Sequence, residues 1–188
     1  MNGGWVWNLK GVRLVLFRLA ELTKRAGETV FLCEGEKDVL ALEAIGFLST
    51  CNPMGAGKWK DSYAEALRGQ RVVVVTDNDP ARDERSKLHF KGQQHAGQVA
   101  ESLLRHNCEV RIIEPPRGKD ASDWLAAGGN IDEINALVSE TAALSLEILE
   151  AWRRRWLVSE SPAREVDPVT EWATPLELQS ELPPVQRF

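Results

Sequence analysis

The run Arg71-Val72-Val73-Val74-Val75 passes directly into Thr76-Asp77-Asn78-Asp79, and this junction constrains the fold more than any other stretch of the chain. Consecutive β-branched residues leave no polar face, which suits a strand covered on both sides, as in the interior of a parallel sheet. An antiparallel strand with one wet face would alternate instead. The carboxylates that follow must then emerge at the strand's carboxyl end, the rim where open α/β sheets collect functional groups.

Shorter runs repeat the pattern. "VFLC" (30–33) precedes "EKDVLALEAIG", where Val39, Leu42 and Ile45 recur at helical spacing and Gly46 supplies a stop. "FLSTC" (47–51) leads into the Gly-rich "NPMGAGKW" and a short helix around "DSYAEALRG". "QQHAGQVAESLLRHN" places Ala96, Val99, Ala100, Leu103 and Leu104 on one face before the strand "CEVRII" (108–113). This alternation predicts an α/β fold with a mainly parallel central sheet and helices on both faces.

From Asn130 the spacing of Ile134, Leu137, Val138, Ile148, Leu149 and Trp152 predicts one long helix or two consecutive ones, with Asn130 and Glu133 at capping-box spacing. The first 29 residues fit strand or helix. The expected organisation is a lead-in segment packing on the core (1–27), an α/β domain (28–130), a helical extension (131–157) and a Pro-containing linker or tail (158–188).

Composition enters through what it excludes. A net charge of -5 argues against wrapping duplex DNA by bulk electrostatics. No window approaches the roughly 18 apolar residues of a membrane span. The opening "MNGGWVWNLKGVR" lacks the features of a secretory signal, so no membrane association and a cytoplasmic location are expected. Cys33, Cys51 and Cys108 are widely spaced and read as reduced, buried thiols. His89, His95 and His106 have no ligand spacing, so no zinc is expected; His95 and His106 are assigned surface or capping roles.

Glu34 follows the first strand, Asp77 and Asp79 the third, and Asp120 lies a short loop beyond the fourth, so all four are expected on one rim. Asp38, four residues after Glu34, can face the same cleft. Crowded carboxylates repel unless some are protonated or share a cation. A hard divalent ion with oxygen ligands, Mg2+ with Mn2+ as a substitute, resolves the conflict and keeps positions open for phosphate. For Asp38 or Asp123 alone, helix capping is an equal alternative.

"GAGK" (55–58) is not a Walker A loop, because Asn52 and Trp59 stand where Gly and Ser or Thr are required; Lys58 remains a candidate phosphate contact. Trp5, Trp7 and Trp59 are read as core or interface packing rather than base stacking. Arg153 to Arg155, between Trp152 and Trp156, suit a helix C-terminus, with a nucleic acid or acidic partner as the alternative.

"VFLCEGEKDVLAL", "VVVVTDNDPA" and "GKDASDWLAAGG", in this order and spacing, resemble the Toprim domain shared by bacterial-type primases, topoisomerases, some nucleases and recombination mediators, over about residues 28–130. The EGEKD form, the "TCNPMGAGKW" loop and the KDASDWL form are most similar to the primase-type Toprim domains of phage, plasmid and other mobile-element replication proteins. The lead-in "GGWVWNLKGVRLVLFRLAEL" and the tail "TPLELQSELPPVQRF" resemble the segments that flank Toprim in such primase-helicase proteins.

The resemblance implies Mg2+-dependent nucleotidyl transfer that makes short RNA primers on a single-stranded DNA template from nucleoside triphosphates. A replicative helicase in the same polypeptide or complex is the implied partner. Glu34 would be the general acid or base or an added metal ligand, Asp77 and Asp79 the metal ligands, and Asp120 the third acidic motif, with Asp38 completing the metal set. Lys37, Lys58, Lys119 and Arg82 are the candidate phosphate or nucleic-acid contacts.

One departure stands out: Arg82 replaces the family's glycine and "DERSKLHFKGQQ" intervenes before the next helix. Arg82, Arg85, Lys87 and Lys91 there could touch a nucleic-acid backbone or form a solvated loop. A Toprim nuclease and a nonenzymatic binding module are the competing functions, and a phosphatase with Asp77 as nucleophile ranks last.

Overall fold

The structure, a computed structural model of the 188-residue chain, describes residues 9–80 and 90–156. Trp5, Trp7, Arg82, Arg85, Lys87, His89 and the tail 158–188, on which several expectations fall, lie outside the described residues.

Four strands, β1 (Val30–Cys33), β2 (Leu48–Cys51), β3 (Arg71–Val75) and β4 (Glu109–Ile113), form one sheet in the order β2-β1-β3-β4. Every pairing is parallel: Val30 aligns with Leu48 and Val72, and Val72 with Val110. The helices are α1 (Leu19–Lys24), α2 (Glu36–Ala44), α3 (Asp61–Ala66), α4 (Lys91–Arg105), α5 (Ala121–Ala126), α6 (Ile131–Glu140) and α7 (Leu146–Arg154).

Strand pleating divides the core in two. Val30, Leu32, Val72, Val74, Val110 and Ile112 point to one face, where Tyr63, Leu67, Val99, Leu103 and Leu149 from α3, α4 and α7 and their flanks cover them. Phe31, Cys33, Cys51, Val73, Val75 and Ile113 point to the other, beneath Val39, Leu42, Trp124 and Ile134 of α2, α5 and α6. The valine run is thus apolar throughout because both its faces are covered. The three cysteines are free and buried.

Leu16 and Leu22 of the lead-in enter the first core, and the Phe17 N–H donates to Cys51 O at 3.0 Å along the outer edge of β2. That contact shields an edge strand whose backbone groups would otherwise lie open. Two helices follow Asn130, which caps α6 by accepting from the Glu133 N–H at 3.1 Å; Ser145 caps α7 in the same way. Among the described residues no helix is long and apolar enough to cross a membrane.

Candidate functional site

From β1 the chain moves outward to β2, then crosses back to β3 and continues to β4, so the winding reverses between β1 and β3. The crevice at such a reversal, at the strands' carboxyl ends, is where open α/β sheets bind ligands. Glu34 follows β1 directly and Asp77 comes two residues after the end of β3, so these carboxylates come off adjacent paired strands.

Asp77 is 8% exposed. Burial raises its pKa, opposed chiefly by a hydrogen bond from Lys119. Asp79 turns toward the start of α4, where its Oδ2 accepts from the Gly92 N–H at 2.8 Å. The positive end of a 15-residue helix therefore meets this carboxylate. Gly92 is required by the close approach, since a Cβ there would lie 2.8 Å from Asp77 O and 2.9 Å from Asp77 Cβ. Glu34 is half-buried; burial raises its pKa, the charges of Asp77 and Asp79 raise it further, and Lys119 and Lys91 oppose them.

Lys119 reaches across from the loop after β4. Its Nζ lies 3.2 Å from Asp77 Oδ2 and 3.5 Å from Asp79 Oδ1. Burial works against its charge, but the two carboxylates outweigh it and push its pKa up to about 12. Asn78, between the aspartates, ties the loops together: its N–H donates to Lys119 O at 2.7 Å and its side-chain amide to Pro115 O and Gly118 O.

Asp77 and Asp79 thus face one shared positive charge, the Lys119 ammonium. An all-oxygen pair of carboxylates with Glu34 nearby fits Mg2+ or Mn2+, which are commonly held by one or two carboxylates plus substrate phosphates. The five carboxylates expected on the rim have different partners: Asp77 and Asp79 share Lys119, while Asp38 and Asp120 face the start of α5. Among the described residues no three His, Cys, Asp or Glu side chains stand together as a metal-holding group.

Asp38 and Asp120 are engaged elsewhere. Asp38 Oδ1 accepts from the Ser122 N–H at 3.0 Å, bracing α2 against the start of α5. Asp120 caps α5, accepting from the Asp123 N–H and the Ser122 hydroxyl, each at 2.8 Å, while its Oδ2 faces Lys37 Nζ at 3.1 Å. Burial raises the Asp38 pKa to about 6, and the nearby Asp120 charge adds to it. For Asp120 burial is outweighed by the Asp123 N–H, Ser122 and Lys37, which hold it at about 2. Asp120 thus caps α5, and Asp38 braces the same helix start from α2. Asp123 accepts from the Lys119 N–H at 3.2 Å.

Of the basic candidates, Lys119 and Lys37 each sit on acidic groups, Lys58 is exposed on the Gly-rich loop, and Arg82 lies outside the described residues. That loop is held from within by Asn52, whose side-chain amide donates to Pro53 O at 3.1 Å and Gly55 O at 2.8 Å. Its turns need positive φ at Met54, Gly55 and Gly57.

His95 fixes the loop from the other side: its Nδ1 accepts from the Gly57 N–H at 3.2 Å. The surface or capping role assigned to His95 is thus corrected, for the residue is 8% exposed and its pKa falls to about 4, through burial and then Lys91. Its position four residues before Val99, on the apolar stripe of α4, was the available signal. Asn52, Asp77, Glu34, Gly92 and His95 together line a cavity of about 20 Å3, enough for roughly one water.

The Toprim domain family matches residues 29–130. No curated protein matches the chain. Among solved structures, the E. coli primase catalytic core superposes with a TM-score of 0.54 at 18% identity over 74% of this chain and 43% of that one. A DnaG primase catalytic domain bound to ssDNA gives 0.54 at 18%, covering 76% and 43%. The zinc-binding and RNA polymerase domains of Aquifex aeolicus primase give 0.54 at 20%, covering 78% and 37%. The chain thus spans less than half the length of these primase structures.

Proposed function

The chain belongs to the Toprim family, and from that premise we propose that it is the catalytic Toprim part of a primase, joining ribonucleotides into short primers on single-stranded DNA. The observation that carries the reading is the Lys119 ammonium lodged between Asp77 and Asp79 at the crevice where β1 and β3 part, with half-buried Glu34 alongside. A binding module has no need of a cation seat flanked by a carboxyl group of raised pKa.

Asp77 and Asp79 would hold the metal. Bound there, Mg2+ would neutralise charge on the triphosphate and acidify the primer 3′-hydroxyl. Asp79 is fixed for this by the α4 N-terminus, and Asp77 by its burial at the end of β3. Glu34, whose burial favours the protonated form, takes or returns the hydroxyl proton. With a metal held by Asp77 and Asp79, Lys119 would be available to the incoming phosphates, where Lys58 on the loop and Lys37 at the edge would add positive charge.

We infer replication of a mobile element as the setting from the EGEKD and KDASDWL forms, with a helicase in the same polypeptide or complex. Since the chain covers under half of the primase structures, the remaining parts of such a machine would supply template capture and translocation.

The test is incubation with single-stranded DNA, labelled nucleoside triphosphates and Mg2+ or Mn2+. Short labelled products support the reading. Metal-dependent shortening of the DNA without incorporation moves the site to nuclease chemistry, which the same residues could serve.

A further inference from the structure

Between the first turns of α4 and the end of α7 lies a groove of about 330 Å3, lined by Gln93, Gln94, Gln98, Trp152, Arg153 and Trp156. This is within the range of small-ligand sites, roughly 300–1,000 Å3. None of these residues belongs to the carboxylate rim, yet Gln93 joins the two places, since its Nε2 donates to Asp79 O at 3.3 Å.

Two wall residues carry a polar side-chain atom that is buried away from the groove's surface. Gln93 is 2% exposed and its Oε1 has no hydrogen-bond partner among the described residues; the same is true of Trp156 Nε1. Here one is an acceptor and the other a donor.

The surroundings are aromatic and basic. The Trp156 ring lies 5.9 Å from Trp152 and 5.2 Å from Phe90, and the Arg155 guanidinium sits 5.0 Å over it. Arg153 is fixed as a wall by Gly97 O and Glu101, and Arg154 continues the basic last turn of α7.

We propose that this groove binds a base of a single-stranded nucleic acid, stacked on the tryptophans and hydrogen-bonded by the exposed amides of Gln94 and Gln98, with its backbone leading to the carboxylate rim. Every nucleobase offers a flat face and an edge with a donor beside an acceptor, which matches the tryptophans and the exposed side-chain amides of Gln94 and Gln98, each a donor beside an acceptor. The arginines of α7 suit the adjoining phosphates. A peptide inserting apolar side chains would meet three amide groups instead. The inference rests on the proposed priming function, since continuity with the rim is what gives the strand its direction.

The test is fluorescence anisotropy of a labelled oligo(dT) with the full chain in chelator, so that the metal site plays no part. Gln94 and Gln98 are exposed, so the double variant Gln94→Glu, Gln98→Glu adds repulsion without touching the core. This variant and, separately, Trp156→Ala should each weaken binding about tenfold or more, with unchanged circular dichroism. Tryptophan quenching by the oligonucleotide should diminish in Trp156→Ala.

Binding by the wild type that both variants leave intact overturns the groove while leaving the priming reading in place. Absence of any wild-type binding also overturns the groove. Lost binding in the variants, beside a wild type that incorporates no nucleotide, keeps the groove and removes the priming reading.

Discussion

Lys119 Nζ stands 3.2 Å from Asp77 Oδ2, so the strongest internal cation of the site occupies the place a metal would need. Removing it frees both Asp77 and Asp79. Lys119→Met should bind Mn2+ more tightly by roughly three- to tenfold in titration calorimetry, as displacement of a partly exposed ammonium costs about 1 kcal/mol. The same variant should incorporate nucleotides more slowly if Lys119 turns to the phosphates.

Gly92 admits no side chain, because a Cβ would press on Asp77 O and Asp77 Cβ at 2.8 and 2.9 Å. Gly92→Ala should cost about 1–3 kcal/mol in chemical denaturation. It should also weaken Mn2+ binding, since the start of α4 must back away from Asp79.

Asp38 separates capping from metal binding. Its carboxylate accepts from Ser122 across 84 residues of sequence separation. Asp38→Ala should lower stability by about 1–3 kcal/mol through the lost acceptor, and leave Mn2+ affinity within about twofold of wild type. Loss of Mn2+ binding in a folded variant would make it a ligand.

His95 gives a pH dependence. Its folded-state pKa of about 4 lies below the ordinary 6.5, so the unfolded chain binds the proton more readily. The stability it supports is complete above about pH 6.5 and is lost as pH falls toward 4, by up to about 3 kcal/mol. His95→Gln, which keeps an acceptor for the Gly57 N–H, should flatten this part of the stability curve relative to wild type.

The sequence carried the sheet and the rim because both are local. Runs such as Val72–Val75 specify a doubly covered strand by composition alone, and Glu34 and Asp77 inherit their place from strand ends next to them in the chain. Helix after Asn130 was legible from spacing and a cap, while spacing alone left the break into α6 and α7 open between one helix and two. What sequence could not give were side chains that cross between elements. Lys119 reaches the aspartates from the loop after β4, Asp38 reaches α5, and His95 reaches the Gly-rich loop 38 residues away. Each depends on tertiary packing, and each had a plausible local role, phosphate contact, cap or surface residue, that nothing nearby in sequence opposed.

The most direct test of the central claim compares initial rates of ribonucleotide incorporation on single-stranded DNA for wild type, Asp77→Asn and Glu34→Gln, with Mn2+ affinity measured on the same preparations. The account predicts that Asp77→Asn loses both metal binding and product, whereas Glu34→Gln retains most metal affinity and loses product by about a hundredfold or more. Incorporation that persists unchanged in Asp77→Asn would contradict it.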